Sequence, residues 1–266
     1  MIEKYAVIGN PVSHSKSPLI HKLFAAQTGQ DISYEAIASP LDGFAATIER
    51  LRSEGYRGCN ITVPFKFEAF NCAAELSERA RTAQAVNTLC FEGEKIIGDN
   101  TDGAGLVRDI EHNLGVTLKA KRVLLMGAGG ASYGVVLPLL TAGAAITIAN
   151  RTASKAVELA MKFTGTSIRG GSYEDLSEQR FDVVINATSA GLTDSAVPLP
   201  DAIFAPGALA YDMMYGRETP FMAFARAQGA RVADGLGMLV EQAAVAFTIW
   251  RGVRPETATV IAALRK

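Results

Sequence analysis

Hydrophobic and polar positions along the first hundred residues indicate short strands separated by amphipathic helices. Residues 4–8 predict a strand, and Ser17 with Pro18 predicts a helix start, because serine caps helices and proline suits their first turn. This helix should end at Gly29. The chain then continues with a predicted strand at 34–38, a helix at 41–53 and a strand from residue 58 that Pro64 terminates. Together these elements predict a small parallel α/β layer.

Between residues 86 and 98 the pattern changes to two short apolar runs around Gly93, which predicts a β-hairpin. A helix is then predicted from Asp102 to Leu114. We place a domain boundary at the start of this helix, because a different alternation of elements begins beyond it.

In the second half, the apolar run 123–126 precedes a glycine cluster and predicts a strand buried on both faces. The helix after the glycines contains Pro138, which should kink or shorten it. Further strands are predicted at 145–149, 181–186 and 208–213, with helices at 153–164 and 219–228. Such crossovers predict a parallel sheet with its ligand crevice at the carboxyl ends of the strands.

The last two helices, predicted at 238–250 and 255–265, follow Gly235 and Gly237 and should pack back on the first domain. The predicted fold class is therefore α/β with two domains. One is a discontinuous N-terminal α/β domain of residues 1–101 plus 237–266. The other is a doubly wound, Rossmann-like domain of residues 102–236. A cleft between the two could close on a substrate.

Charge and composition exclude several classes of function. Lys plus Arg total 26 against 27 for Asp plus Glu, so the net charge of −1 gives no general attraction to nucleic acid or anionic membranes. The longest apolar stretch, near 135–149, is interrupted by Pro138 and Gly143 and is too short to span a bilayer. We expect a small-molecule partner, no nucleic acid, no membrane, and a monomer or homodimer.

The cysteines and histidines indicate neither a disulfide framework nor a metal site. The three cysteines form no C-x-x-C pair, which favours free thiols in a reducing cytoplasm. The three histidines lack metal-ligand spacing, so no metal is predicted. The first residues also lack the basic and apolar regions of a signal peptide, and we expect a cytoplasmic protein.

The cluster Gly127-Ala128-Gly129-Gly130-Ala131 is typical of the first turn of a dinucleotide-binding unit. Its glycines would let the backbone approach a pyrophosphate, which N–H groups at the start of the next helix would bind. Ser132 stands where the G-x-G-x-x-G pattern has glycine or alanine, so the match is partial. Taken alone, the cluster also fits a tight turn in another kind of α/β protein.

Asn150 and Arg151 follow the next predicted strand, where NAD-preferring domains carry an acidic residue. An arginine can bind the 2′-phosphate of NADP bidentately, and Lys155, one helical turn further on, adds positive charge. Together with the glycine turn, this predicts NADP as cofactor. The alternative is that Arg151 and Lys155 only form a solvated helix start.

Other candidates are less specific when each is taken singly. Thr188 and Met213 follow predicted strands and could flank a nicotinamide ring, although an ordinary loop or core role fits them too. Lys66 follows a strand-proline break, and Asp102 heads a helix. Taken by themselves, these two residues would more often be a surface lysine and a helix cap than catalytic groups.

Several motifs, in order along nearly the whole chain, closely resemble those of the shikimate dehydrogenases. They are Ser13-His-Ser15, Asn60-Ile-Thr62-Val-Pro-Phe-Lys66, Ala85-Val-Asn87-Thr, Gly98-Asp-Asn-Thr-Asp102-Gly, Gly127-Ala-Gly-Gly-Ala, Asn150-Arg-Thr152 and Gly235-Leu-Gly-Met-Leu-Val-Glu-Gln242. The resemblance implies an oxidoreductase that reversibly reduces 3-dehydroshikimate to shikimate with NADPH, in the shikimate pathway to chorismate and the aromatic amino acids. It also implies that the first domain binds substrate and carries the catalytic residues.

The resemblance further implies roles for single residues. Lys66 and Asp102 would form the catalytic pair. The substrate would be held by Ser13, Ser15 and Tyr215 at its carboxylate, and by Thr62, Asn87, Asp102 and Gln242 at its ring hydroxyls. With the glycine turn and the basic site included, the expected cofactor contacts are Glu78, Gly127, Ala128, Gly129, Gly130, Ala131, Asn150, Arg151, Thr152, Lys155, Thr188, Met213 and Gly237. Each of these residues also has an alternative role. Ser13 and Ser15 could stabilise a turn, Gln242 could form the polar edge of a helix, and Glu78 could form a surface ion pair.

The implied chemistry agrees with the residue types. Hydride delivery to a ketone produces a developing alkoxide, which a positioned acid or cation such as Lys66 can stabilise. Asp102 beside it would keep the ammonium charged, so the pair suits proton donation during reduction. Two alternatives remain. One is a quinate/shikimate dehydrogenase with relaxed cofactor use, against which Arg151 argues. The other is a non-catalytic NADP-binding module, against which the presence of both Lys66 and Asp102 argues.

Overall fold

A computed structural model describes residues 2–163, 165–188 and 198–265 of the chain. The chain forms two compact units. Unit 1 consists of residues 1–105 and 239–266, and unit 2 consists of residues 106–238. Asp102, which the sequence analysis assigns to the second domain, lies in unit 1 because the break falls inside the helix that Asp102 begins.

Unit 1 contains a six-stranded mixed sheet. Its strands are β1 (Glu3–Gly9), β2 (Ile32–Ala38), β3 (Tyr56–Ile61), β4 (Glu75–Leu76), β5 (Thr88–Glu92) and β6 (Lys95–Asp99). They lie in the order β2-β1-β3-β5-β6-β4. Strand β1 runs parallel to β2 and β3, whereas β5 is antiparallel to β3 and β6. The predicted hairpin is confirmed, and Gly93 adopts a positive φ of 60° in its turn.

The helices that follow these strands in unit 1 are α1 (Ser17–Thr28), α2 (Phe44–Ser53), α3 (Lys66–Cys72), α4 (Glu78–Ala83) and α5 (Asp102–Arg108). Helix α1 ends at a left-handed Gly29, as predicted. Its first helical residue is Ser17 and its cap position is Lys16, so the prediction of Ser17 as the cap was wrong by one residue. Ser15 supplies the hydroxyl at this end, because its Oγ accepts from the backbone N–H of Ser17 at 3.2 Å.

Unit 2 contains a six-stranded sheet in which all pairings are parallel. Its strands are β7 (Arg122–Met126), β8 (Ala145–Ala149), β9 (Ile168–Gly171), β10 (Phe181–Asn186), β11 (Phe204–Asp212) and β12 (Arg231–Ala233). The order β12-β11-β10-β7-β8-β9 is that of a doubly wound nucleotide-binding sheet, which confirms the predicted fold class. The order reverses between β7 and β10, where such sheets bind their ligands.

The helices of unit 2 include α6 (Gly130–Thr141), α7 (Ala153–Met161) and α8 (Pro220–Ala227). Helix α6 continues through Pro138 and ends at Thr141, three residues later. Proline lies in the last helical turn, where it interrupts few hydrogen bonds, and its own carbonyl still accepts from Ala142 N at 2.9 Å. After α5 the backbone forms a π-helical turn, Asp109–Asn113, which the sequence analysis treated as ordinary helix.

The chain ends in helices α9 (Leu236–Arg251) and α10 (Ala258–Leu264). From Leu239 onward this segment belongs to unit 1, where apolar side chains of both helices form a buried cluster with α1. The cluster includes Ile20, Phe24, Val240, Phe247 and Val260. Within the described ranges, the helices are too short or too polar to cross a membrane.

Candidate active site

Lys66 and Asp102 form a close ion pair in unit 1. Lys66 is the first residue of α3, and Asp102 is the first residue of α5. The Nζ atom of Lys66 lies 2.5 Å from Oδ2 of Asp102, and the two side chains are only 17% and 10% exposed. Because little water reaches the pair, its attraction is stronger than that of a surface ion pair. The geometry brings together the two residues that the sequence analysis assigns to catalysis.

A buried amide holds the other oxygen of Asp102. Asn87 donates from Nδ2 to Oδ1 of Asp102 at 2.7 Å. The Asn87 amide oxygen accepts from the backbone N–H of Thr101 at 2.8 Å. Gln242 approaches from α9, and its Oε1 accepts from Thr101 Oγ1 at 3.3 Å and from Asn87 Nδ2 at 3.4 Å. Three predicted substrate-binding residues, Asn87, Asp102 and Gln242, therefore meet in one polar cluster.

Gly105 explains how Gln242 reaches this cluster from so far along the chain. A Cβ atom at residue 105 would lie 2.6 Å from the backbone nitrogen of Gln242 and 2.7 Å from its Cβ. Only glycine therefore lets α5 approach this turn of α9 so closely. The sequence analysis did not single out Gly105, because its importance depends on a contact between segments distant in sequence.

Ser13, Ser15 and Thr62 lie in loops that follow neighbouring parallel strands. Thr62 N donates to the carbonyl of Ile8 at 2.9 Å, which fixes residue 62 beside the end of β1. A Cβ atom at Gly9 would lie 2.4 Å from Cγ2 of Thr62, so glycine permits this approach. Ser13 is exposed, and Ser15 and Thr62 are half-buried. These hydroxyls sit at the carboxyl ends of β1 and β3, where parallel sheets commonly bind ligands.

Glu78 is the exposed first residue of α4 in unit 1. This helix, absent from the predicted elements, is fixed by Asp99, whose oxygens accept from Arg79 Nε at 2.6 Å and Nη2 at 2.8 Å. Burial alone would raise the pKa of Asp99, but hydrogen bonds from Arg79 and Ser77 outweigh it and hold that pKa below its usual value. The proposed cofactor contact of Glu78 stays a prediction.

The glycine turn lies between β7 and α6 in unit 2. Gly127 has a φ of +101°, a conformation that favours glycine, and its N–H donates to Ala149 O at 2.8 Å. Among the described residues, a Cβ atom at Gly129 would meet nothing within 4 Å. Ser132 is buried and donates to the carbonyl of Gly127 at 2.8 Å. This hydrogen bond stabilises the turn where the usual pattern has a smaller residue.

The start of α6 fits an anionic group. No side chain of the described residues caps this helix, and its first turn contains no acidic residue. Backbone N–H groups at such an end attract phosphate, and the predicted residues Ala128, Gly130 and Ala131 belong to this turn. Together with the space that the described residues leave unfilled at Gly129, the turn fits the pyrophosphate of a dinucleotide.

The predicted 2′-phosphate site follows the neighbouring strand. Asn150, Arg151 and Thr152 come directly after β8, which pairs with β7 in a register that aligns Met126 with Ala149. Asn150 Nδ2 donates to Thr152 O at 3.0 Å and so shapes this loop. Arg151 and Lys155 are exposed. Their cationic groups are therefore accessible. The loop that carries Arg151 leaves the sheet at the same carboxyl edge as the glycine turn.

Thr188 and Met213 also lie near the carboxyl ends of the unit 2 strands. A Cβ atom at Gly127 would be 3.0 Å from Cγ2 of Thr188, so the Thr188 side chain lies beside the glycine turn. Thr188 Oγ1 donates to Asn186 Oδ1 at 2.7 Å, and Met213 N donates to Asn186 O at 3.0 Å. The residues that follow Thr188, from 189 to 197, lie outside the described residues.

Tyr215 follows β11 and is half-buried, and its burial raises the pKa of its hydroxyl. It belongs to unit 2, whereas the other predicted substrate-binding residues belong to unit 1. The prediction that Tyr215 helps Ser13 and Ser15 to bind the substrate carboxylate therefore concerns residues in different units.

Gly237 has a packing role within unit 2. A Cβ atom at this position would lie 1.9 Å from Oδ1 of Asp109. The Asp109 carboxylate is itself fixed, because it accepts from Tyr211 OH at 2.6 Å and from Asn113 Nδ2 at 2.9 Å. Glycine at the start of α9 is thus explained by this buried carboxylate, and the predicted cofactor contact of Gly237 stays a prediction.

The strand order and glycine turn of unit 2 define a dinucleotide-binding protein of the Rossmann-like α/β class. Three family models match the chain: the shikimate dehydrogenase substrate binding domain at residues 7–89, shikimate / quinate 5-dehydrogenase at residues 109–193, and the shikimate 5'-dehydrogenase C-terminal domain at residues 235–265. The chain belongs to the shikimate dehydrogenase family.

Similar proteins match over nearly the whole chain. A shikimate dehydrogenase (NADP(+)) from Methylobacillus flagellatus is 61% identical and covers 99% of both chains. The crystal structure of an Ael1 enzyme from Pseudomonas putida is 52% identical, covers 98% of both chains and has a TM-score of 0.94. Shikimate 5-dehydrogenase from Thermus thermophilus, solved in complex with NADP(H) and shikimate, is 34% identical with a TM-score of 0.90 and covers 99% of both chains.

Proposed function

We propose that this protein catalyses the reversible NADPH-dependent reduction of 3-dehydroshikimate to shikimate, a step toward chorismate and the aromatic amino acids. The observation that carries the proposal is the 2.5 Å contact between Lys66 and Asp102, with Asn87 and Gln242 beside it, in a member of this family. A buried cation next to amide and carboxylate groups suits a polyhydroxylated ring with a reacting carbonyl.

The cofactor site of the proposal lies in unit 2. When bound, NADPH supplies the hydride. The glycine turn at 127–131 would hold the pyrophosphate through backbone N–H groups at the start of α6. Asn150, Arg151, Thr152 and Lys155 would hold the 2′-phosphate, for which a guanidinium and an ammonium provide the charge. Thr188 and Met213 would flank the nicotinamide.

The substrate site of the proposal lies mainly in unit 1. Ser13 and Ser15 would bind the carboxylate, with Tyr215 assisting. Thr62, Asn87, Asp102 and Gln242 would bind the ring hydroxyls, and each offers a donor or an acceptor for this purpose. A site that pairs every substrate hydroxyl discriminates strongly against analogues that lack one, because its own buried polar groups would then stay unpaired.

Lys66 would act at the reacting carbonyl oxygen. As hydride reaches the carbon, negative charge develops on this oxygen, and the Lys66 ammonium stabilises it and donates a proton. Asp102 holds Nζ of Lys66 in place through the 2.5 Å contact. In the reverse direction, neutral Lys66 would accept the proton from the hydroxyl of shikimate, because each step must run through the same transition state.

The test is a spectrophotometric assay of NADPH absorbance with 3-dehydroshikimate. Turnover that depends on both reactants supports the proposal, and parallel assays with quinate and NAD measure the relaxed-specificity alternative. Binding of NADPH without turnover of any of these substrates would instead indicate a non-catalytic binding module.

We further infer that the protein acts in the cytoplasm. Its three cysteines are free, and Cys59 is fully buried. Such thiols are expected where the surroundings are reducing. Fractionation of the native host with an antibody against the chain tests this inference.

A further inference from the structure

A surface cavity of about 500 Å³ lies in unit 2, at the end of the sheet opposite the glycine turn. Residues that begin four parallel strands line it: Arg122 of β7, Ala145 of β8, Ile168 of β9 and Phe181 of β10. Because β7 has five residues, each rising about 3.3 Å, the cavity lies roughly 16 Å from the glycine turn. Its volume suits a small organic molecule. A ligand bound here would leave the proposed cofactor site free.

The charges that line this cavity are unbalanced. Among the described residues, they are the guanidinium groups of Arg122, Arg169 and Arg180 and the carboxylate of Glu178. Arg122 is paired, because Asp182 accepts from its backbone N–H at 2.9 Å and from its Nε at 3.3 Å. Arg169 and Arg180 form no ion pair with a described carboxylate. Two such guanidinium groups against Glu178 leave an excess of positive charge, which favours an anionic ligand.

Neutral groups hold the guanidinium of Arg169 in place. Its Nε donates to Thr147 Oγ1 at 3.0 Å, and its Nη2 donates to Gln179 Oε1. Thr147 is only 8% exposed, and Gln179 is itself fixed, because its Nε2 donates to Asp175 O at 2.6 Å and its backbone N–H to Leu176 O at 3.0 Å. These contacts orient Arg169 without neutralising its charge. They use two of its five N–H donors, and within the described part of the chain the other three are available to a ligand.

Apolar residues complete the lining of the cavity. Ala145 and Ile168 are half-buried, whereas Ile146 and Phe181 are only 2% and 3% exposed. A bare inorganic anion would contact little of this apolar surface, but a molecule with an apolar body would remove it from water. The lining therefore fits a ligand that combines one anionic group with an apolar body.

We propose that this cavity binds a small organic anion, whose carboxylate or phosphate group pairs with Arg169 and whose apolar body contacts the strand starts. The planar guanidinium fork can bind either group through two hydrogen bonds. Arg180 adds positive charge at the same cavity. The site is separate from the proposed active site, and its occupancy requires neither cofactor nor turnover.

The test is a titration of the ¹⁵N-labelled protein, followed by two-dimensional NMR, with benzoate and phenyl phosphate as probes. Backbone signals of Ile146, Ile168 and Phe181 should shift and saturate, with dissociation constants on the order of 0.1–1 mM. Signals of Gly129 and Arg151 report any binding at the proposed cofactor site separately. Benzyl alcohol, which lacks the charge, and inorganic phosphate, which lacks the apolar body, should each bind roughly tenfold more weakly.

Substitution of Arg169 identifies the group that holds the anion. Arg169→Met keeps an unbranched side chain without charge and should weaken benzoate binding roughly tenfold or more. Arg169→Lys keeps the charge but not the fork, so it should recover only part of the affinity. Arg226→Met is the matched control, because Arg226 is an exposed arginine elsewhere in unit 2 that pairs with Glu218. This control should leave benzoate affinity unchanged.

Two results would overturn the proposal. One is that shifts at the strand starts are absent or do not saturate with either probe. The other is that saturable shifts there have the same midpoint in Arg169→Met as in the wild type, with folding of the variant verified by its melting temperature. Because the titration needs no reduction of 3-dehydroshikimate, failure of the proposed function would leave this test unaffected.

Discussion

The ammonium group of Lys66 lies 2.5 Å from the carboxylate of Asp102, and each residue is the first of its helix. A carboxylate at a helix start is favoured by the helix dipole, whereas a cation there is disfavoured. Lys66 therefore occupies a position that stability alone does not explain. Locally unfavourable choices of this kind are expected at functional sites, and this one can be tested by substitution.

Lys66→Met should lower kcat by about 10²- to 10⁴-fold, the usual contribution of a positioned acid or base. Substrate affinity should change little, because the proposed hydroxyl contacts come from other residues. Steady-state kinetics combined with calorimetric binding of shikimate measures both quantities. Lys95→Met is the matched control, since Lys95 forms an exposed ion pair with Glu75 at 2.6 Å. Near-normal turnover in Lys66→Met would contradict the catalytic role.

Arg151→Ala should raise KM for NADPH by roughly 10- to 100-fold, the effect expected for a charged hydrogen bond to phosphate. KM for NADH should change much less, because NADH lacks the 2′-phosphate. Initial rates with each cofactor measure the ratio, and Arg180→Ala removes an exposed arginine from the opposite end of the same sheet as a control. Equal effects on the two cofactors would rule out the 2′-phosphate role.

Gly129→Ala should weaken NADPH binding, whereas Gly237→Ala should lower stability. Within the part of the chain that the structure describes, a Cβ atom at Gly129 meets nothing within 4 Å, so Gly129→Ala should preserve stability and weaken NADPH binding by filling the proposed pyrophosphate site. At Gly237 the new methyl group would displace the Asp109 carboxylate from Tyr211 and Asn113, at a cost of about 1–3 kcal/mol. Urea denaturation and NADPH titration of both variants check this contrast. The prediction is contradicted if Gly129→Ala is the less stable of the two variants.

Gly105→Ala should raise KM for shikimate, because the added Cβ atom would push the backbone of Gln242 away from Thr101 and Asn87. Stability should fall as well, since an added methyl in a packed contact costs about 1–3 kcal/mol. If Gly105 acts through Gln242, the effects of Gly105→Ala and Gln242→Ala on KM should not add in the double variant. Full additivity would mean that the two residues act separately.

Stability should rise with pH between about 3 and 6.5 because of His21. This ring is fully buried and stacked on Tyr34 at 4.0 Å. Burial lowers the pKa of His21 to about 3, although the nearby Asn60 acts in the opposite direction. Below pH 6.5 the unfolded chain takes up a proton at this residue that the folded chain does not, so acid favours unfolding.

His21→Phe should reduce the slope of unfolding free energy against pH in this range by the equivalent of one proton. Urea denaturation at several pH values measures the slope. His14→Gln, at an exposed position, should leave it unchanged. A slope that is the same in His21→Phe and wild type would show that another group causes the dependence.

Elements with strong apolar patterns could be predicted from the sequence, and short edge elements could not. The parallel core strands and the hairpin are confirmed, whereas β4, β9 and β12 were not predicted. Strand β9 reads Ile-Arg-Gly-Gly, and β12 has three residues at the sheet edge. Neither strand has an alternating apolar pattern. Their positions depend on pairing with a neighbouring strand rather than on local propensity.

For the proposed site, local motifs supplied the candidate residues but not what holds them together. Asn87 and Gln242 are 155 residues apart, and their proximity depends on the close packing that Gly105 permits. The motifs also contained Thr88 and Thr101, yet nothing in the local pattern shows that both hydroxyls donate to the buried amide oxygen of Asn87. The functional roles of all the candidate site residues, including Ser13, Tyr215 and Glu78, stay predictions.

The division of unit 1 between the two ends of the sequence has a consequence for synthesis on the ribosome. Ile20 and Phe24 in α1 bury their side chains against Val240, Phe247 and Val260. Unit 2, in contrast, is continuous from residue 106 to 238 and can complete its own core first. This apolar face of α1 therefore stays uncovered in the nascent chain until the final helices emerge. Apolar surface that is exposed in this way during synthesis is prone to aggregation.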